Sequence, residues 1–250
     1  MTPVRNDPAQ YDTLADQWWD PRGALAMLGW IAKHRATLVP PSPYDGALLL
    51  DLACGGGLLA PHLAGRGYRH VGLDLSATAV RVAAEHGVQA VRGDVTRLPF
   101  ADAVAQVVVA GELLEHVPDP AALVAEIARV LAPGGTLVLD TIARTRLARV
   151  VAITVAERVP GGPPRHLHDG DLFIDRAALV RSCAAHGIEL RLAGLRPSLR
   201  DYPRWLAGRR PDVRMVPSRL TNVLFTGVGR KADVLNESVW GSDSRGSDSE

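Results

Sequence analysis

The chain has 250 residues, 47% of them apolar, and a formal net charge of +1. That fits one good-sized domain with an accessory segment, and the near-neutral charge argues against a general nucleic-acid footprint. Only Cys54 and Cys183 occur, no run approaches the roughly 20 apolar residues of a membrane-spanning helix, and the N-terminus lacks a signal peptide's apolar core; a soluble cytoplasmic protein without disulfides is the expectation.

Residues 1–10 are polar, carry Pro3 and Pro8, and read as loose. Tyr11 to Trp19 opens a helix-like stretch that stops at Asp20-Pro21; Leu25, Leu28, Ile31 and Ala32 then recur at helical spacing until Pro40-Pro41-Ser42-Pro43. Residues 1–46 therefore read as a helical cap, which either covers a cleft or packs as an edge helix. From residue 47 strands alternate with helical patterns, which implies βαβ units and a parallel sheet. The first strand, Leu48 to Leu52, runs into Ala53-Cys54-Gly55-Gly56-Gly57, and Leu58 to Arg66 reads as a helix stopped by Gly67. Glycine lets the backbone turn sharply and lets a ligand approach main-chain N–H groups at a helix start. The second strand, His70 to Asp74, ends in a carboxylate about 20 residues on, where a ribose hydroxyl would find an acceptor.

A helix is expected over 77–86 with Ser76 as its N-cap, then a third strand over 88–94 that ends in Asp94. Leu98-Pro99-Phe100 turns the chain towards a fourth strand, Ala105 to Ala110, from which Gly111 to Val117 leads out. Pro120 opens a helix over 121–131, and Pro133-Gly134-Gly135 turns into a fifth strand over 136–141. The segment 142–164 interrupts this rhythm, setting Arg144, Arg146, Arg149 and Arg158 among branched apolar residues. His166-Leu167-His168-Asp169 follows, then a helix over 176–186 and strands over 188–192 and 222–228. Residues 232–250 are rich in Ser, Asp and Gly and read as disordered.

The run Asp51 to Gly57, with the strand-end acids Asp74 and Asp94, resembles the class I S-adenosylmethionine-dependent methyltransferases. Their first motif, acid-x-Gly-x-Gly-x-Gly, carries Ala53 here in place of the first glycine. A nicotinamide-binding turn would show G-x-G-x-x-G, and a phosphate cradle would add a Lys. The resemblance implies an α/β, Rossmann-like seven-stranded, mostly parallel sheet with helices on both faces, spanning residues 47–231. It further implies S-adenosylmethionine held by Asp51, Ala53, Gly55, Gly57, Asp74, Leu75, Asp94, Val95 and Gly111. Asp74 would accept from the ribose hydroxyls and Asp94 would meet the adenine amino group, while Gly55, Gly57 and Gly111 would let the backbone come close. On residue type alone, Asp74 also reads as a surface acid and Asp94 as a turn former.

A closer resemblance rests on Gln17-Trp18-Trp19-Asp20-Pro21, Asp51 to Gly57, Glu112 to Val117, and His168-Asp169-x-x-x-Phe173-Ile174, in that order. Together they are similar to the ubiquinone-biosynthesis O-methyltransferases, which methylate phenolic hydroxyls on polyprenyl-substituted rings. The resemblance covers roughly residues 11–230 and shows two departures. Met27 stands before Leu28-Gly29-Trp30-Ile31 where that family has an Arg that would contact the cofactor carboxylate, and Ala143 stands where it has an Asn.

Methyl transfer from a sulfonium needs an aligned and deprotonated acceptor. Glu112, Glu115 and His116 sit at i, i+3 and i+4 and would share one face of a helical turn. The resemblance associates them with Mg2+, which could activate a phenol bearing an ortho hydroxyl; alternatively the acids suit a helix N-terminus and the His packs or caps. His168, oriented by Asp169, is the candidate general base, or else a loop His that bonds to backbone. Cys54 reads as a small packing residue. The expected partner is a small phenolic or quinol molecule, with no nucleic acid. Residues 142–175 read as a substrate-facing insertion. Within it Leu147, Val150, Val151 and Thr154 form a stripe edged by Arg146 and Arg149, which suits peripheral contact with an anionic membrane or ordinary packing on the domain. The alternatives are C- or N-methylation of another metabolite and a non-catalytic cofactor-binding scaffold.

Overall fold

Ala47–Leu52 is buried at every position, and a strand apolar on both faces belongs inside a parallel sheet. The structure, a computed structural model, describes residues 5–7 and 9–233; the expected disordered tail falls outside them apart from Ala232 and Asp233. The helices are α1 (Ala9–Asp12), α2 (Ala26–Leu38), α3 (Ala60–Leu63), α4 (Ala77–Glu85), α5 (Pro120–Val130), α6 (Arg146–Ala148), α7 (Arg176–Ala185) and α8 (Asp201–Leu206). The strands are β1 (Ala47–Leu52), β2 (Tyr68–Asp74), β3 (Gln89–Arg92), β4 (Ala105–Gly111), β5 (Leu131–Ile142), β6 (Ile188–Pro197), β7 (Met215–Ser218) and β8 (Leu224–Lys231).

They form one sheet in the order β3-β2-β1-β4-β5-β8-β6-β7. The strands from β3 to β5 pair in parallel, whereas β8, β6 and β7 join antiparallel. Alternation along the central strands divides the core. Leu50, Leu52, Val108, Ala110 and Leu139 pack with Leu123 and Ile127 of α5 and Leu179 of α7. Leu49, Val107, Val109 and Val138 point the other way, against Ala36 of α2 and Leu63 of α3. Strand order reverses between β1 and β4, so a crevice opens beyond their carboxyl ends, where open α/β sheets take ligands.

Four expectations change. The sheet has eight strands, not seven, because β7 is a short edge strand carrying Pro217, too brief and too proline-broken to show a pattern. After the glycine turn only Ala60–Leu63 is helical, since Gly55 (φ 53°) and Gly57 (φ 80°) keep the chain in left-handed turns. The fifth strand starts at Leu131, with Pro133-Gly134-Gly135 bulging between the pairs Ala105–Leu131 and Val107–Thr136. The start of the chain is tied down: Arg5 donates to the His168 carbonyl at 2.8 Å, and Asn6 N–H donates to the His166 carbonyl at 3.2 Å. Asn6, Tyr11, Trp18 and Leu28 of the leading segment line that crevice. Tyr11 stacks on Trp18 at 5.7 Å, Trp19 stacks on His86 at 4.0 Å, and Trp30 of α2 meets Trp205 of α8 edge-on at 4.9 Å.

Candidate active site

A cavity of about 440 Å³ lies beyond β1, β2 and β4, under the N-terminal cap. One end is built by the glycine turn. Asp51, at the buried end of β1, lies 3.2 Å from His70 Nε2. Ala53 follows with φ 53°, a left-handed conformation in which a Cβ costs of order 1 kcal/mol, so the missing glycine is felt as strain while the turn keeps its shape. Gly55 N–H donates to Asp74 Oδ2 at 2.9 Å, and Ser76 N–H donates to Oδ1 at 2.9 Å. Two turns are thereby fixed on one carboxylate that faces the cavity, and burial raises its pKa. Leu75, Asp94 and Val95 line the same end. Asp94 Oδ1 also accepts from the Thr96 N–H and hydroxyl, each at 2.8 Å, so it forms its turn and faces the cavity at once.

The glycines serve neighbours in addition to any ligand. A Cβ on Gly55 would lie 2.4 Å from Trp18 Cη2, because the indole rests on the turn, and Trp19 Nε1 donates to Gly56 O at 2.9 Å. Trp18 Nε1 faces this region buried and without a hydrogen-bond partner. Gly57 is off the cavity lining; its Cβ would lie 3.1 Å from Ala83 Cα, so that glycine serves packing against α4. Cys54 is buried between the turn and Gly72, and burial pushes its thiol far up, consistent with a packing role.

The other end is built from β4's exit. Glu112 has φ 48°, so the chain leaves the strand through a left-handed residue, and only Leu114–His116 makes a helical turn, of 3-10 type. The expected shared face of Glu112, Glu115 and His116 therefore does not form. Glu112 and His116 line the cavity, whereas Glu115 lies beneath, accepting from Thr141 Oγ1 at 2.7 Å. Burial raises the Glu115 carboxyl to about 7, and burial together with the Glu115 charge holds Glu112 well above the usual carboxylate range. One oxygen of each, Oε1, is buried without a partner. No three His, Cys, Asp or Glu side chains are grouped so as to hold a metal ion among the described residues.

Burial and the nearby His168 push His116 down to about 3, so its ring is neutral. Asn6 assigns the tautomer: its amide nitrogen donates to the His116 carbonyl at 3.2 Å, which turns Oδ1 towards Nδ1–H and leaves Nε2 as acceptor. His168 stands one layer back, its ring 5.7 Å from that of His116, and is not on the cavity lining. Its neighbour is Glu157, not Asp169. Glu157 accepts from the backbone N–H groups of His166 and His168 at 3.0 and 3.2 Å, and its carboxylate lies 3.6 Å from His168 Nδ1. Asp169 caps its own turn, accepting from Asp171 N–H at 3.0 Å.

Sequence reasoning missed Asn6, Tyr11, Arg35 and Asp140. Arg35 on α2 donates to Asp140 on β5 through Nε at 2.6 Å and Nη2 at 2.7 Å, both residues being buried. One signal was present: an acid inside the apolar run Leu137-Val138-Leu139-Asp140 needs a partner. Gly111 is glycine for this pair, since its Cβ would lie 1.8 Å from Arg35 Cζ.

A methyltransferase-domain profile matches residues 50–139. A ubiquinone biosynthesis O-methyltransferase of Thiobacillus denitrificans is 36% identical over 189 residues, covering 72% of this chain and 82% of that protein. Its counterpart in Hahella chejuensis is 36% identical over 217 residues, covering 81% and 91%. Among solved structures, an S-adenosylmethionine-dependent methyltransferase of Thermotoga maritima, described as a possible histamine N-methyltransferase, superposes with a TM-score of 0.61 at 16% identity, covering 89% and 96%. At that identity the likeness shows the fold alone.

Proposed function

We propose a reaction from one premise: this chain belongs to the ubiquinone biosynthesis O-methyltransferase family and is an S-adenosylmethionine-dependent methyltransferase. The acceptor is a phenolic or catechol hydroxyl on a polyprenyl-substituted ring. The observation that carries this is the continuity of the cavity, which joins the Asp74–Gly55 cradle to a wall made of Glu112 and His116. Asp74 would accept from the ribose, and Leu75, Asp94 and Val95 would hold the adenine. A bound cofactor would supply an electrophilic methyl to the ring oxygen and would leave as a neutral thioether. The phenolic proton goes to Glu112, a carboxylate made basic by burial and by Glu115. The positive charge of a bound sulfonium would favour the ionised forms of both acid and phenol. His168 acts from behind, fixing the His116 ring. Turnover of a catechol panel with labelled cofactor tests this: label passing to another metabolite but to no phenol would move the acceptor to another class, cofactor binding without any turnover would leave a scaffold, and no binding would remove both.

The surface of the insertion supports a membrane-derived substrate. Residues 149–155 form a π-helical stretch after α6, with Ala148 and Ala152 buried and Leu147 and Val150 exposed at 48% and 54%. Leu147 and Val150 of the stripe thus face outward, while Val151 is half-buried. Arg149 is paired with Asp171 at 2.7 Å, and no helix of the described residues is long and apolar enough to cross a membrane. The intact protein should co-sediment with anionic vesicles at low salt, and Leu147→Ser with Val150→Ser should release it; failure of both to pellet points to a water-soluble phenol.

A divalent cation is the second reading, favoured by the unpartnered oxygens of Glu112 and Glu115. Those two carboxylates would hold it, and it would supply positive charge for an ionised ring oxygen. The chemistry above takes no step through it. Assays in excess chelator, with and without added magnesium, separate the two readings.

A further inference from the structure

Of the charged side chains on the cavity lining, Asp7, Asp51, Asp74, Asp94 and Glu112 are acids, and among the described residues Arg35 is the one permanent cation. That balance suits the sulfonium and ammonium groups of S-adenosylmethionine and would repel the carboxylate at its methionyl end. We propose that Arg35 binds that carboxylate, with Asp140 as its positioning residue; the assignment rests on the methyltransferase reading.

The geometry supplies a donor with nothing else to do. Asp140 takes Nε and Nη2 of Arg35 at 2.6 and 2.7 Å, and Nη1 makes no hydrogen bond to the described residues. Asp140 also accepts from Glu112 N–H at 3.0 Å, tying the guanidinium to the residue that opens the acceptor wall. Arg35 is only 8% exposed and Asp140 0%, so the guanidinium is held in one orientation at the cavity edge. Gly111 completes the arrangement, because any side chain there would occupy the guanidinium's place. A buried ion pair contributes little to stability by itself. A rigid, desolvated guanidinium, by contrast, is well suited to grip a carboxylate through its planar array of donors. The same contact would set the distance from the methyl group to the Glu112 wall, which links cofactor binding to alignment.

The test is the affinity ratio of S-adenosylmethionine to its decarboxylated analogue, which keeps the sulfonium and ammonium and lacks only the carboxylate. Calorimetry on the full chain should show Arg35→Met losing roughly tenfold to a hundredfold in affinity for the parent cofactor, with the analogue changed by less than about twofold. Asp140→Asn should shrink the ratio less, because the guanidinium keeps its charge and loses its orientation. Equal losses for both ligands, or no loss for either, would overturn the assignment. Should Arg35→Met fail to fold by circular dichroism, the ratio in Arg35→Lys decides: it must fall below that of the unaltered protein, and an unchanged ratio sinks the idea. An unaltered protein that binds neither ligand removes the methyltransferase reading and this assignment together. Normal cofactor binding with an unmoved ratio removes only Arg35.

Discussion

The two ends of the cavity are built on different plans. The end proposed to hold the cofactor comes from short stretches at the ends of β1 and β2, held by backbone bonds to one carboxylate, Asp74. The end proposed for the acceptor is assembled from distant pieces: Asn6 reaches His116 across 110 residues, and Arg5 reaches His168 across 163. A site made of strand ends is as rigid as its sheet. A site made of a leading segment and an insertion can change its acceptor without disturbing the sheet, which fits a fold that hosts many methyl acceptors.

The largest effect should fall on the cofactor end. Gly55→Val places a branched side chain at φ 53° and onto the Trp18 ring, so cofactor binding by calorimetry should vanish while the far-ultraviolet dichroism persists. Asp74→Ala comes next, with a loss of about 1.5–3 kcal/mol in cofactor affinity, the scale of a charged hydrogen bond; unchanged affinity would remove Asp74 from the site. Asn6→Ala should invert the pattern. Freeing the His116 ring should lower kcat by roughly tenfold and leave cofactor affinity within about twofold. If both fall together, the two ends are not independent and the contrast fails.

Two smaller effects read strain and burial. Ala53→Gly relieves a left-handed Cβ and should stabilise the fold by about 0.5–1 kcal/mol in thermal melts, after the extra freedom glycine gains in the unfolded chain. Glu115 changes a slope. Its carboxyl is raised to about 7 in the folded protein, chiefly by burial, so its contribution is full below the unfolded carboxylate range and is lost as pH rises through about 7. Glu115→Gln should flatten the decline of Tm between about pH 5 and 8; an identical slope would mean that the acid is not buried as described.

The difference between the two ends also marks how much could be read in advance. Asp51, Ala53, Gly55, Asp74, Leu75, Asp94, Val95 and Gly111 all line the cavity, because each follows directly from a strand end and its turn. Gly57 does not, since the glycine was needed for α4. The helical face of Glu112, Glu115 and His116 failed because one residue, Glu112, sits at positive φ, which spacing cannot report. Adjacency in sequence points to Asp169 as the partner of His168, whereas Glu157 is adjacent in space.

The sequence alone therefore determined the parallel sheet and the position of the glycine turn, since these depend on local periodicity and short-range turn chemistry, while the cofactor class followed from the motif's resemblance to a known family. Tertiary structure alone decided that Arg35 meets Asp140 across 105 residues, that Trp18 rests on the glycine turn, and that His116 rather than His168 faces the cavity. Those pairings are set by how α2, the leading segment and the insertion pack over the sheet, and the pattern within any one segment carries no information about which distant side chain fills the space beside it.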